Sequence, residues 1–203
     1  MWKNKRPLKK TLEPRLKEAQ AGTREVFFVD AAHFLFNPTV GFLWAFVRTF
    51  LPAAAGRQRF NVLGALNAIS HELIAVTNDS YINALSVCEL LWRLAPLALE
   101  KPVTLVMDNA RYQRCALVQE LAGLLHIELL FLPAYSPNLN LIERLWKFVK
   151  KHCLYAKYHP DFEALKTAIT QCLEQTHTVH KQALDSLLTL RFQTFEKLAP
   201  AAG

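Results

Sequence analysis

Apolar positions along this chain repeat with two different periods, and the switches between them mark its elements. Glu25 to Phe36, EVFFVDAAHFLF, opens on a β-rich apolar run that predicts a central strand buried on both faces, ending in or just after Asp30. Gly41 to Phe50 predicts a further strand, with a short helix also open at that spacing. Arg59 to Ile69 and Glu72 to Thr77 read as a hairpin turning at Ser70 and His71. Asn78, Asp79 and Ser80 offer caps for a helix to about Leu94, and Pro96 and Pro102 bracket the loop after it. Lys101 to Asn109, KPVTLVMDN, is a second buried strand ending in an acid, Asp108. Gln113 to Leu124 is helical in pattern, and Ile127 to Leu132 is a short apolar strand. This strand, helix, strand order implies a parallel crossover, with Asp108 at the carboxyl end where open α/β sheets place ligands.

A polar turn punctuated by Pro133 and Pro137 leads to the most amphipathic segment. From Leu141 onward, Leu141, Ile142, Leu145, Trp146, Phe148 and Val149 share one arc, and Glu143, Arg144, Lys147, Lys150 and Lys151 share the other. Asn140 is a preferred N-cap, and Glu143 then occupies the third position of a capping box. Pro160 to Phe195 carries two further Leu-rich helical patterns. Met1 to Thr23 is basic and poor in apolar periodicity, with Pro7 and Pro14 breaking any long helix, so it reads as an arm or linker.

Composition narrows the class. The 203 residues are 52% apolar, enough for one globular domain with an appendage. Lys and Arg number 24 against 17 Asp and Glu, a net charge of +7 that favours a polyanionic partner. The basic residues cluster before Lys17 and again between Arg144 and Lys157, as a phosphate-binding surface requires. Cys88, Cys115, Cys153 and Cys172 stand far apart without a C-x-x-C pair, which suggests neither a zinc site nor a disulfide framework. The longest apolar run, Val40 to Val47, stops at Arg48, short of the ~20 residues of a membrane span. A soluble, cytoplasmic protein is expected.

Three acids then stand out. Asp30 in a buried strand is costly unless paired, hydrogen-bonded or bound to a cation, although a strand-end Asp also caps turns. Asp108 ends the second buried strand, and Glu143 leaves the same sheet edge on its helix. Converging carboxylates raise one another's pKa unless divalent cations neutralise them, and hard oxygen donors suit Mg²⁺ or Mn²⁺. Two such ions ~3.5 to 4 Å apart activate a water and stabilise the leaving oxygen of a phosphodiester. Lys147 and Lys150, on the face of Glu143, with Arg144 and Lys151 beside them, are placed to hold a DNA backbone. Asn109 and Asn140 are candidates to support the site, a turn Asn being the commoner reading of Asn109. His33 reads as a packed histidine with a backbone partner. His177 and His180 lack acidic or Cys partners for zinc, and Trp44, Trp92 and Trp146 read as core.

The motifs FFVDAAHF, TLVMDNARYQ and PAYSPNLNLIERLW, with 34 residues between Asp108 and Glu143, resemble the catalytic domain of mariner-like DDE transposases of the bacterial insertion-sequence type. In the last block Tyr135, Ser136, Pro137, Leu139, Asn140, Ile142, Glu143 and Trp146 fit the family pattern. The resemblance covers about Val26 to Lys151, with looser similarity through HTVHKQALDSLLTL. It implies an RNase H-like α/β fold, a mixed five-stranded sheet flanked by helices with extra C-terminal helices. It also implies Asp30, Asp108 and Glu143 as catalytic metal ligands. The expected division is a basic arm at 1–24, a catalytic domain at 25–160 and a helical extension at 161–203. The expected activity is Mg²⁺-dependent DNA cleavage and strand transfer, with Mn²⁺ substituting. DNA, as transposon ends and target, is the expected partner, and a homodimer is an option. The family usually carries helix-turn-helix modules ahead of this domain, and about 24 residues precede the first strand here. A structure-selective nuclease and a silent DNA-binding remnant are the rival readings.

Overall fold

The computed structural model describes residues 5–36, 46, 58–133, 140–155 and 157–190. In chain order it contains α1 (Lys5–Gln20), β1 (Glu25–Leu35), β2 (Arg59–Asn67), β3 (Leu73–Asn78), α2 (Ala84–Glu100), β4 (Val103–Met107) and α3 (Ala116–Leu124). These are followed by β5 (Ile127–Phe131), α4 (Ile142–Cys153), α5 (Phe162–Glu174), a 3₁₀ turn at Gln175–His177, and α6 (Lys181–Leu187). Apart from Phe46, the strand expected at Gly41–Phe50 lies outside the described residues, as does the turn at 134–139.

The five strands form one mixed sheet in the order β3-β2-β1-β4-β5, antiparallel from β3 to β1 and parallel from β1 to β5. Side chains alternate across a strand, so β1 feeds two cores. Val26, Phe28, Ala32 and Phe34 meet α1, α4, α5 and α6, while Phe27, Val29 and Ala31 meet α2 and α3. Asp30 has the parity of the first set and faces the layer that contains α4.

β1 does not end at Asp30 as expected. Its parallel pairing with β4 stops at Val29↔Met107, but its antiparallel pairing with β2 continues to Leu35↔Arg59. Asp30 therefore occupies the level at which the sheet narrows, where a strand edge opens beside it and Asp108 follows directly after β4. Apolar alternation persists through Phe34, which is why the strand outlasts the acid.

The basic N-terminal segment is a helix over Lys5–Gln20, not a linker. Leu12, Leu16 and Ala19 give it a narrow apolar stripe in the core. Pro14 lies on its exposed side, where water can serve the carbonyl left without an amide. Arg15 clamps the helix to β5 through a two-pronged ion pair with Glu128, Nη2 to Oε1 at 2.8 Å and Nε to Oε2 at 3.1 Å. Arg24 and Thr104 also donate to Glu128, and the hydrogen bonds of Arg15 and then Thr104, with the charges of both arginines, hold its carboxyl below the usual glutamate range.

α2 likewise departs from expectation. It starts at Ala84, capped by Asn83, whose side chain accepts from Ser86 N while Ser86 Oγ accepts from Asn83 N. It then runs through Pro96 to Glu100, with Pro96 on the solvent side. Trp92, expected in the core, is 60% exposed on the same outer side.

Candidate active site

α4 carries Glu143 to the sheet, and its apolar arc explains how. Ile142, Leu145, Trp146 and Val149 are buried against β1 and β2, which leaves Glu143 half-buried in the first turn and Lys147 and Lys151 exposed. Gly64, the register partner of Asp30 on β2, is what lets the helix approach so closely. A Cβ built on Gly64 would stand 2.8 Å from Trp146 Cη2 and 3.0 Å from Ile142 Cδ1. The indole thus occupies the space a side chain would fill, one position across from Asp30.

The capping box expected at this helix does not form. Leu141, in helical geometry, stands at the cap position without a side-chain cap bond. Asn140 is buried, and its Nδ2 donates 3.4 Å to the carbonyl of Val29. A tertiary bond spanning 111 residues has replaced a local one, tying the entrance of α4 to the residue before Asp30. Its Oδ1 is buried without a partner among the described residues.

The three acids come from three elements and share one electrostatic field. Burial pushes the Asp30 carboxyl up to about 6, with the charges of Asp108 and Glu143 adding to the rise and the amide of Ala31 opposing it. The Trp146 indole N–H has no partner within hydrogen-bond distance among the described residues, yet it lies near enough to pull Asp30 down slightly. Glu143 is also raised, first by burial and further by Asp108, against the pull of Lys147. Asp108 is exposed, and its Oδ1 accepts from Ala110 N in a turn. Among the described residues no three acidic, His or Cys side chains stand close enough to grip a single ion. The charges of Asp108 and Glu143 nonetheless reach Asp30, and that of Asp108 reaches Glu143. Their hard oxygen donors and uncompensated repulsion suit a divalent cation.

The surroundings hold residues that sequence reasoning passed over. Tyr112, in the turn after Asp108, is pushed up to about 12 by burial, then by Asp108 and Asp30, so its hydroxyl stays protonated beside two acids. The buried Gln113 has no partner within hydrogen-bond distance for either amide atom among the described residues, yet it lies near enough to Tyr112 to oppose that rise slightly. Arg111 and Arg114 are exposed on the same turn, where Arg114 donates 2.7 Å to Asn109 Oδ1 and lies 5.6 Å over the Phe131 ring. Two arginines within six positions of Asp108 were the available signal.

Other candidates are placed differently from expectation. Arg144 donates to the carbonyls of Leu187 and Thr189 at 3.2 and 2.7 Å, so it ties α4 to the end of α6 and the chain just beyond it instead of standing with the exposed lysines. His33 is exposed, not packed, and its Nδ1 lies 2.6 Å from Asn61 Oδ1. His180 meets Phe148 edge-on and His152 at a tilt, at ring separations of 5.1 and 5.2 Å. Trp146 is buried, as expected, while Trp44 lies outside the described residues. No helix among the described residues is long and apolar enough to cross a membrane.

Comparison with known proteins fits this geometry. The fold is similar to that of a Mos1 transposase paired-end complex with left transposon end, at TM-score 0.57 and 14% identity, over 93% of this chain and 62% of that one. A Mos1 mariner paired end complex with Mg matches at TM-score 0.56 and 16% identity, over 97% of this chain and 65% of that one. The HTLV-2 integrase catalytic core domain in complex with magnesium, in dimeric form, matches at TM-score 0.51 and 15% identity, over 76% and 86%. These likenesses establish an RNase H-like mixed sheet, and the chain spans less than two thirds of the Mos1 transposase chain's length. No curated protein matches the chain. The model for the DDE superfamily endonuclease family matches residues 25–166. That match takes in β1 through the start of α5 and all three acids, and the chain belongs to the DDE superfamily endonuclease family.

Proposed function

We propose that this chain is the catalytic unit of a mariner-like transposase that cleaves DNA and joins the freed strand to a target. The observation that supports this reading is the placement of Asp30, Asp108 and Glu143, from β1, the end of β4 and the first turn of α4, near enough that the charges of Asp108 and Glu143 raise Asp30 and that of Asp108 raises Glu143. In it these three side chains hold divalent cations, two Mg²⁺ or Mn²⁺. When bound, such ions lower the pKa of the attacking water or hydroxyl and neutralise charge at the phosphodiester. Lys147, Lys150 and Lys151 hold the DNA backbone beside the acids, and the exposed Arg111, in the turn after Asp108, adds a further cation. The Tyr112 hydroxyl, kept protonated, donates toward the acids or the phosphate. Asn140 and Asn109 act as supports, Asn140 by fixing where α4 begins and Asn109 by orienting Arg114.

Residues 25–160 form the catalytic domain in this reading, with 161–203 as a helical extension and 1–24 as a segment whose helix packs onto the sheet. Action on DNA places the protein in the cytoplasm, and a homodimer pairs two transposon ends.

The experiment is Mg²⁺-dependent nicking of supercoiled DNA, followed by a strand-transfer assay with a pre-cut end. Glu143→Gln should keep its fold, since no capping box depends on Glu143, and should lose nearly all cleavage because the neutral amide cannot offset a cation. Retention of parental cleavage in that variant would remove Glu143 from the site. Nicking without strand transfer would favour the nuclease reading, and no nicking by the parent would favour the silent remnant.

Binding to DNA should show little sequence preference and weaken steeply with salt, because contacts from exposed lysines release counterions. Fluorescence anisotropy with matched and scrambled duplexes checks this. Strong discrimination for one short duplex at physiological salt would contradict it.

A further inference from the structure

The outer face of α2 carries a second surface, remote from the acids on the opposite side of the sheet. Leu85, Trp92 and Leu99 are 67%, 60% and 89% exposed, and they recur at intervals of seven residues. Seven steps of ~100° return to within ~20° of the start, so the three form one stripe along a 17-residue helix. The adjoining helix α3 adds exposed Leu117 and Leu124, also seven apart. Five large apolar side chains on one outer layer exceed what a monomer scatters singly.

The charges on this layer argue against DNA as the occupant. The chain carries +7, yet α2 presents Glu89 and Glu100 against Arg93 alone, and α3 presents Glu120. A polyanion would be repelled where the rest of the chain attracts it.

The stripe is symmetric about Trp92, since Leu85 and Leu99 lie seven residues to either side. We infer that α2 packs antiparallel against α2 of a second copy of this chain, about a two-fold axis at Trp92. Leu85 of each copy then meets Leu99 of the other, and the two indoles stack at the centre. The charges complete the fit. Glu89 and Arg93 lie on the same flank of the stripe, three residues before and one after Trp92. In an antiparallel pair that flank faces its own symmetry mate, which brings Glu89 of each copy within reach of Arg93 of the other. Both side chains are about half exposed and already paired within their own helix at 2.7 Å, so the dimer extends an existing pair into a four-charge network. A heptad stripe favours a shallow crossing of ~20°, which keeps the helices in contact along their length. α3 widens the contact toward the ~800 Å² per partner of a stable interface. This inference rests on the homodimer in the proposed function and not on its chemistry.

Sedimentation velocity of the full chain over a concentration series, without DNA, tests it. Expected is a monomer–dimer equilibrium, weakened at least ~tenfold by Trp92→Glu, as loss of a central aromatic anchor should be. Circular dichroism confirms folding, since Trp92 is not in the core. Glu89→Arg and Arg93→Glu should each weaken the dimer, and an equimolar mixture of the two variants should restore it, because opposite charges then face each other across the copies while the pair within each helix stays broken. Only a self-paired α2 gives that rescue. Under oxidation, Leu85→Cys mixed with Leu99→Cys should cross-link more than either alone. A parent monomeric throughout, a dimer indifferent to Trp92→Glu, or a mixture no better than the two single variants alone would each overturn the inference. Nicking by the parent chain, measured in parallel, reports separately on the catalytic reading.

Discussion

Asp30→Asn is expected to abolish metal-dependent cleavage while making the metal-free protein more stable above about pH 6. The two effects have one cause. Asp30 is placed where burial penalises its charge and where Asp108 and Glu143 add repulsion, so its folded pKa of about 6 lies above its ordinary value of 3.8. Below both values the folded and unfolded chains are equally protonated at this site, and it contributes nothing. Between them the folded state binds more proton, so stability falls as pH rises through the window and the full penalty persists above it. The gap between the folded and ordinary values corresponds to roughly 3 kcal/mol at most. Asparagine keeps the shape and the acceptor for the Ala31 amide but carries no charge. Urea unfolding without divalent ions should therefore show the variant more stable by ~1 to 3 kcal/mol at about pH 8, with the parent's decline between about pH 4 and 6 flattened. Nicking should be at background. A variant that unfolded more readily than the parent at about pH 8 would mean that Asp30 serves the strand and not the site.

That pairing of cost and use explains why Asp30 was visible in the sequence. An acid inside VFFVDAAHF breaks the apolar run, and the break was legible because the strand on either side was. Asp108 was legible for a similar reason, as the first polar residue after a fully buried strand. The arc of α4 was readable because its buried and exposed positions separate cleanly at helical spacing.

What escaped reading depends on residues far apart in the chain. Leu12, Leu16 and Ala19 form too thin a stripe to outweigh two prolines, and α1 is secured by Glu128, 113 positions from Arg15. Asn140 carried a sound local capping preference, but its amide reaches Val29 instead. Trp92 sits among apolar neighbours in sequence, yet only its neighbours turn inward. Tyr112 looked like an ordinary turn residue because nothing local shows that the turn folds back beside both aspartates.

Gly64 is the least legible of these, and its substitution should have the largest effect of any change outside the acids. In sequence it is a glycine within an apolar strand, with no local mark of function. In the fold it pairs with Asp30, and Trp146 lies where its side chain would be. Gly64→Ala places a methyl carbon 2.8 and 2.9 Å from two indole atoms and 3.0 Å from Ile142 Cδ1, closer than carbon atoms pack. The backbone of β2 is held between β1 and β3, so the helix must give way. Ile142 and Trp146 flank Glu143 on α4, and moving them moves the carboxylate. Overpacking of this kind costs ~1 to 3 kcal/mol. A displacement near 1 Å at a catalytic group costs about 100-fold in rate. The expected result is a folded protein, modestly destabilised in urea, with nicking reduced about 100-fold although every acid is intact. Trimming the indole by Trp146→Leu in the Gly64→Ala background should recover part of the lost rate, because the smaller side chain makes room for the new methyl. Parental activity in Gly64→Ala would mean that the sheet can yield without disturbing Glu143, and the Trp146 contact would then have no part in setting the position of the third acid.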